Sequence, residues 1–382
     1  MKSVGRLLRY KDVYDIDGSE ELFIDAMREN CKFQYDNSED YRKILDGMNF
    51  NPDNIKSMED VTNIPFLPTL FFKTHRISSY KNTKHLYKAT SSGTQGKFSE
   101  IGFDIGSLWS AMIMSLRILR HWKIISPIPC NYIVFGYQPK KTNRTAVSKT
   151  AFLTTLLAPA LHRTYALKYI NGKYEPDLEA VFEAVKRYSK KKAPVRFMGF
   201  PSYTFFVMQM MEERGVSVKL PKNSKIMLAG GWKQFYKEAV EKDVFYGLAK
   251  KTLGIEEENI VEYYGAVEHP ILYTDCPNHH FHVPIYSRVV IRDVNTFKPL
   301  PNGQMGLVNL ITPLFKATPL LSVMPDDLGI LHDGCECGCG IKSPYLEIIG
   351  RVGLKDIKTC AAGASDLLDK SNLSKVIQGG EK

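Results

Sequence analysis

Thr90-Ser91-Ser92-Gly93-Thr94-Gln95-Gly96-Lys97 crowds four hydroxyls, two glycines, a glutamine and a lysine into eight residues. Glycine lets a backbone approach an anion closely and turn its N–H groups towards it. The hydroxyls can donate to phosphate oxygens, and the lysine adds a point charge. A long amphipathic helix is expected shortly afterwards, over 105–121, and its N-terminal dipole would favour the same anion. The stretch is not a Walker A loop, because only Thr94 and Gln95 separate Gly93 from Gly96. On composition alone, a polar surface loop is the plain alternative.

Outward from this loop, the pattern alternates. Residues 131–135, 195–200, 225–229 and 259–264 read as buried strands, each followed by glycine or proline. Residues 178–188, 202–214 and 234–253 read as helices between them. Such alternation predicts an α/β fold with helices packed on sheets, and ligand sites beyond the carboxyl ends of the strands. Before the loop, 17–58 reads as helical and polar, and 63–68 as an extended, proline-punctuated segment. After the core, 282–292 and 306–311 read as strands joined through a turn at Pro301-Asn302-Gly303, so a smaller β-rich subdomain is expected. The expected division is a helical N-terminal region and α/β core over 1–275, the β-rich part over 276–350, and a tail over 351–382.

Further motifs follow the loop in order: Gly230-Gly231 after a strand, Tyr264-Gly265-Ala266-Val267-Glu268, Asp327-Leu328-Gly329 and Gly350-Arg351. With the loop, this ordered set resembles the adenylate-forming superfamily of acyl-CoA synthetases and their relatives. Ile64-Pro65-Phe66-Leu67-Pro68-Thr69-Leu70-Phe71-Phe72-Lys73 is in addition similar to an early segment of the acyl-protein synthetase family, the LuxE-like proteins of fatty-acid reductase systems. The resemblance runs from about residue 20 to 368. It implies the superfamily's N-terminal-domain architecture, and ATP with Mg²⁺ as cofactors. Ser91, Ser92, Gly93, Thr94, Gly96 and Lys97 would hold the β,γ-phosphates. Gly230 and Gly231 would lie along the nucleotide, and Tyr264, followed by Gly265, would stack on adenine. Glu268 would bind Mg²⁺. Asp327 would take the ribose diol with help from Arg351. Val267 departs from the pattern, which usually has threonine there; valine cannot hydrogen-bond an α-phosphate oxygen.

Acyl-CoA synthetases carry a lid of about a hundred residues after the glycine-arginine element. Only 31 residues of the 382 follow Arg351 here, so no full C-terminal lid is expected. Cys360 lies in that tail, flanked by small residues and by Lys355 and Lys358, which would favour its thiolate. In acyl-protein synthetases a cysteine near the C-terminus accepts the acyl group, and Cys360 matches that position. The resemblance therefore implies two steps: a carboxylic acid, fatty above all, becomes acyl-AMP, and the acyl group then passes to Cys360 as a thioester. An acyl reductase-type partner would take it onward. An acyl- or aryl-CoA ligase of the phenylacetate-CoA ligase type is the alternative enzyme. A non-catalytic nucleotide-binding interaction protein is the alternative outside enzymes, and Val267 is its support.

Cys276, His282, Cys337 and Cys339 offer thiolate and imidazole ligands suited to a structural Zn²⁺, with His280 and Cys335 as substitutes. The rival is a set of reduced thiols near a turn. Seven cysteines in a chain this long do not suggest a disulfide framework. The formal net charge is +10, but the basic runs at 186–192 and 140–144 lack interleaved aromatics, which argues against nucleic acid. No apolar run reaches the ~20 residues that span a bilayer, and no signal peptide is visible, so a cytoplasmic protein is expected. Oligomeric state and acyl identity are not legible.

Overall fold

Prolines and short polar residues cut the N-terminal helical stretch into pieces. The structure is a computed structural model and describes residues 2–81, 86–90, 99–139, 152, 154–170, 173–232 and 240–351. Helix α1 is Lys2–Leu7, and α2 is Glu20–Asn37. Ser38 turns to an extended conformation and caps α3, Glu39–Gly47, by accepting from the Tyr41 N–H. The expected helical run over 17–58 is thus broken at Ser38 and ends at Gly47; α4 starts afresh at Met58–Thr62 with a capping box between Ser57 and Asp60. Strand β1, Leu67–Pro68, leads straight into α5, Thr69–Thr74. Strands β2, Tyr87–Thr90, and β3, Glu100–Phe103, form an antiparallel ribbon with Thr90 opposite Glu100. Helix α6 then runs over Ile105–His121, as the periodicity predicts.

The chain divides into two compact units, the described residues of Met1–Ile118, Gly265–Tyr273 and His280–Lys382, and those of Leu119–Tyr264 and Thr274–His279. The second unit is the α/β one. Its strands are β4, Cys130–Tyr137; β5, Ala160–Ile170; β6, Lys173–Pro176; β7, Val195–Gly199; β8, Lys225–Ala229; and β9, Ile260–Ala266. They lie in the order β9-β8-β7-β4-β5-β6, all parallel except β6. Central strands buried on both faces need continuous apolar runs, and Tyr132–Phe135, Phe197–Met198 and Ile226–Leu228 supply them. Helices α7, Leu178–Ser189; α8, Pro201–Glu213; and α9, Lys242–Leu253, cover one face through Val181, Val185, Phe205, Met208, Phe245 and Ala249. The expected helix over 234–253 begins only at Lys242 among the described residues, because Glu241 is extended and 233–239 lie outside them. The methionine and phenylalanine stripe of α8 is largely core.

Back in the first unit, β10, His269–Thr274, is followed by β11, Phe281–His282; β12, Arg288–Arg292; β13, Met305–Ile311; β14, Ser322–Met324; β15, Asp327–His332; and β16, Tyr345–Arg351. The sheet order is β1-β14-β13-β15-β16-β11, with β12 on β13. The single strand expected over 282–292 is interrupted. Pro284 has no N–H for a ladder, and its carbonyl instead accepts from Ser287 at 2.9 Å in a turn. Strands β14 to β16 carry the sheet on to Arg351. Asn30 ties α2 to this part by donating to the Pro313 and Phe315 carbonyls at 2.8 Å each. Among the described residues no helix is long and apolar enough to cross a membrane.

Gly199 closes β7 with φ +136°, and a Cβ there would sit 2.5 Å from the Phe135 carbonyl oxygen of β4. Gly199→Ala is expected to lower the unfolding free energy by about 1–3 kcal/mol. Urea denaturation checks this, and an unchanged midpoint would refute it.

Candidate functional site

The loop expected to cradle phosphate, with Ser91, Ser92, Gly93, Thr94, Gly96 and Lys97, lies outside the described residues, and so does Cys360. What flanks the loop is described. Thr90 and Glu100 are cross-strand partners, so the β2–β3 ladder brings the two ends of the loop together. Ser99, the residue just before β3, is fully buried, and its hydroxyl donates to Oε1 of Glu268 in a short contact.

Glu268 has an unusual environment. Val267 and Glu268 form the two-residue turn between β9 and β10, a position that normally faces water. Yet Glu268 is 5% exposed. Burial pushes its carboxyl above the ordinary range, opposed by the Ser99 hydrogen bond and by the charge of Lys73 on α5; Asp326 pushes in the same direction as burial. The strand after the turn is pinned by His269, whose Nε2 lies 3.1 Å from the Ser287 hydroxyl. Asp326 itself accepts from Thr69 at 3.1 Å, the first residue of α5. The first unit thus gathers Ser99, Glu268, Lys73, Thr69 and Asp326 around the base of the loop. Of these, sequence reasoning singled out Glu268; Ser99 carries no local signal, since what sets it apart is its burial.

Asp327 and Arg351 also belong to the first unit. They are Cα partners across β15 and β16, and Arg351 Nε lies 3.0 Å from Asp327 Oδ1. Arg351 is 70% exposed and Asp327 10%, so the pair adds little stability and mainly fixes where the aspartate points. In the second unit, Gly230 and Gly231 follow the last residue of β8 with φ of 79° and 63°, a region that favours glycine. Ala229 pairs with Tyr263, so the glycine pair leaves the carboxyl end of β8 next to Tyr264 in the C-terminal half of β9. That is where open α/β sheets place ligands. Gly265 is packed closely, with 2.9 Å between a would-be Cβ and the Ile271 carbonyl oxygen.

Within the first unit, the ligand atoms of His282, Cys337 and Cys339 all lie within 4.8 Å of one another. A tetrahedral zinc with ~2.3 Å sulfur bonds needs its ligands roughly 3.8 Å apart, so the set is of the right size. His282 is fully buried, and its Nδ1 lies 2.7 Å from the Ser343 carbonyl. That contact makes Nδ1 the donor and leaves the Nε2 lone pair 3.2 Å from Cys339 Sγ. Burial also lowers the ring's pKa, which keeps it neutral as a ligand must be. Of the two substitute ligands, Cys335 is exposed and outside the set. His280 places Nδ1 3.1 Å from Cys337 Sγ while stacking on Tyr345 at 4.2 Å.

A family model described as "Acyl-protein synthetase, LuxE" matches residues 13–369. A "Long-chain-fatty-acid--luciferin-component ligase" of Vibrio harveyi is 24% identical over 347 residues, covering 89% of this chain and 86% of its own length. A protein of the same description from Aliivibrio fischeri is 24% identical over 370 residues, covering 94% and 92%. Among solved structures, an open conformation of 2-hydroxyisobutyryl-CoA ligase, in complex with 2-HIB-AMP and CoA, superposes with a TM-score of 0.65 at 15% identity, covering 89% of this chain and 76% of that one. This likeness shows the adenylate-forming fold.

The folded chain binds the Glu268 proton more tightly than the unfolded chain, because its folded pKa lies above the ordinary 4.5. Stability from this group is therefore present at acidic pH and falls as pH rises through the window above that value. Glu268→Gln keeps an acceptor for Ser99 and carries no charge. It is expected to melt a few degrees above the nucleotide-free wild type at about pH 7.5. The advantage should vanish near pH 4. Thermal unfolding across that range checks it, and equal melting temperatures throughout would contradict the burial argument.

Proposed function

The chain belongs to the acyl-protein synthetase family, and on that premise we propose which residues carry the activity and what they act on. The protein is a ligase. Its substrate is a carboxylic acid, a long-chain fatty acid in the favoured reading, and its energy source is ATP. The observation that carries the assignment is the buried Glu268 held by Ser99 where the two ends of the 91–98 loop meet. An acid kept in a turn at the cost of desolvation suits a group that meets cationic charge during turnover.

In the first step the acid's carboxylate oxygen attacks the α-phosphorus of ATP. The bond to the β,γ-phosphates breaks, and pyrophosphate leaves with its electron pair. Ser91, Ser92, Gly93, Thr94, Gly96 and Lys97 hold the departing phosphates. Glu268 is the Mg²⁺ ligand, and the ion when bound screens phosphate charge. Lys97 and Glu268 thus act through charge placement, the main lever in such transfers. Gly230, Gly231, Tyr264 and Gly265 line the nucleotide, with the tyrosine ring against the base. Asp327, oriented by Arg351, accepts from the ribose hydroxyls. In the second step the Cys360 thiolate attacks the acyl carbonyl, the mixed-anhydride bond breaks, and AMP leaves. The thioester so formed is fit for a reductase-type partner. Cys276, His282, Cys337 and Cys339 hold a structural zinc. Four protein ligands leave no open position for chemistry, so the metal's contribution is structural.

Three measurements test this. Acid-dependent ATP–pyrophosphate exchange should be present in the wild type and fall by about 100-fold or more in Glu268→Gln. Mass spectrometry with acid and ATP should show a covalent acyl adduct on the wild type and none on Cys360→Ser, while exchange persists in that variant; equal acylation of both would sink the Cys360 role. Metal analysis of the purified protein should return near-stoichiometric zinc. Cys339→Ser should lose most of it and melt lower by on the order of 10 °C. A metal-free wild type of undiminished stability would remove the zinc assignment.

A further inference from the structure

Helix α6 follows the β2–β3 ribbon directly and carries a buried face and, opposite it, an exposed apolar one. One face, carrying Ser107, Ser110, Met114 and Ile118, is buried. The other carries Ile105, Leu108, Trp109, Met112 and Leu116, and all five are exposed, Ile105 at 83% and Trp109 at 59%. At about 100° per residue these five fall within an arc of ~100°, opposite the buried face. Single exposed apolar side chains need no explanation, but a contiguous helical stripe does.

The helix's own charges are one-sided. The helix itself has no acidic residue, and its last turn carries Arg120 and His121. Arg117 reaches back to the N-terminal segment, donating to the carbonyls of Leu8, Tyr10 and Lys11. That contact brings the 8–11 segment, with its exposed Arg9 and Lys11, to the helix. The chain just after that segment carries Asp12, Asp15 and Asp17, and Asp104 accepts from the Ser107 hydroxyl at the start of the helix, so the positive excess belongs to α6 itself. The chain as a whole is at +10.

We infer that the Ile105–Leu116 face of α6 is a docking surface for an anionic lipid bilayer. Three features favour lipid over a protein occupant. The stripe is a convex helix face rather than a groove. It includes a tryptophan, whose ring suits the headgroup boundary, and it is flanked by cations, the composition of helices that lie in a membrane interface. A single helix face of this length also presents less than the ~800 Å² per partner of a standard protein interface. Binding of this kind combines apolar insertion with attraction to anionic headgroups, so it should weaken with salt and with loss of either component. That the bilayer delivers the acid to the adjoining loop rests on the proposed function; the binding itself does not.

The test uses the full chain and sedimentation with vesicles. Wild type should bind vesicles of phosphatidylglycerol and phosphatidylcholine at least tenfold more tightly than pure phosphatidylcholine, and less at high salt. Met112→Ser with Leu116→Ser should lose at least tenfold of that binding. Arg9→Glu with Arg120→Glu should lose binding to the anionic vesicles. Both variants should keep the wild-type pyrophosphate exchange with a short, water-soluble acid, which separates this inference from the assignment of the activity. Equal binding by wild type and the Met112/Leu116 variant overturns the inference, as does no binding at all. A concentration-dependent dimer in light scattering that the same variant abolishes also overturns it, and would give the face to a second copy of the chain.

Discussion

The contact between Ser99 and Glu268 is the constraint around which the first unit is arranged. A carboxylate in a two-residue turn would ordinarily point into water. Here it is drawn inside and held by a hydroxyl that sits 169 residues away in sequence. A neutral hydroxyl compensates only part of the cost of desolvating a carboxylate, and the nearby Lys73 and Asp326 charges work in opposite directions. The arrangement is therefore a local expense, and such expenses gather where chemistry needs a group held ready. The rest of the first unit serves it. The β2–β3 ribbon presents Ser99, the pairing of β1 with β14 sets α5 and Lys73, and His269 anchors the strand on the other side of the turn.

The second unit solves a different problem, which is to end several strands at one edge. Its parallel strands are apolar on both faces and so must be covered by helices. The helices force each connection to return to the same end of the sheet. Glycines then let the chain turn sharply where it leaves β7 and β8. The positive φ at Gly230 and Gly231 and the close approach of Gly199 to β4 are consequences of that geometry.

The Cys/His cluster shows a third kind of economy. The segment 333–343 holds few apolar side chains and two glycines in left-handed conformations, so it cannot secure itself by packing alone. Converging thiols and an imidazole, oriented by the Ser343 carbonyl, offer a tie of another sort.

Much of this was legible in the chain itself. Apolar runs of four to six residues bounded by glycine or proline placed β4, β7, β8 and β9, and a 3.6-residue period placed α6 and α7, because those signals are local. The ordered motifs that carry the family resemblance were legible too, since a motif is a local pattern of residue types. The strand expected over 282–292 failed at Pro284 and the N-terminal helix failed at Ser38, where one residue's backbone chemistry overrode the pattern around it. Burial was not legible. Nothing in the local sequence distinguishes Ser99 from a surface serine or Glu268 from a turn carboxylate, and the local sequence would have buried the Ile105–Leu116 face of α6 rather than the one with Ser107 and Ser110. Those distinctions are long-range, set by which elements the fold brings against each residue, and only the tertiary structure could make them.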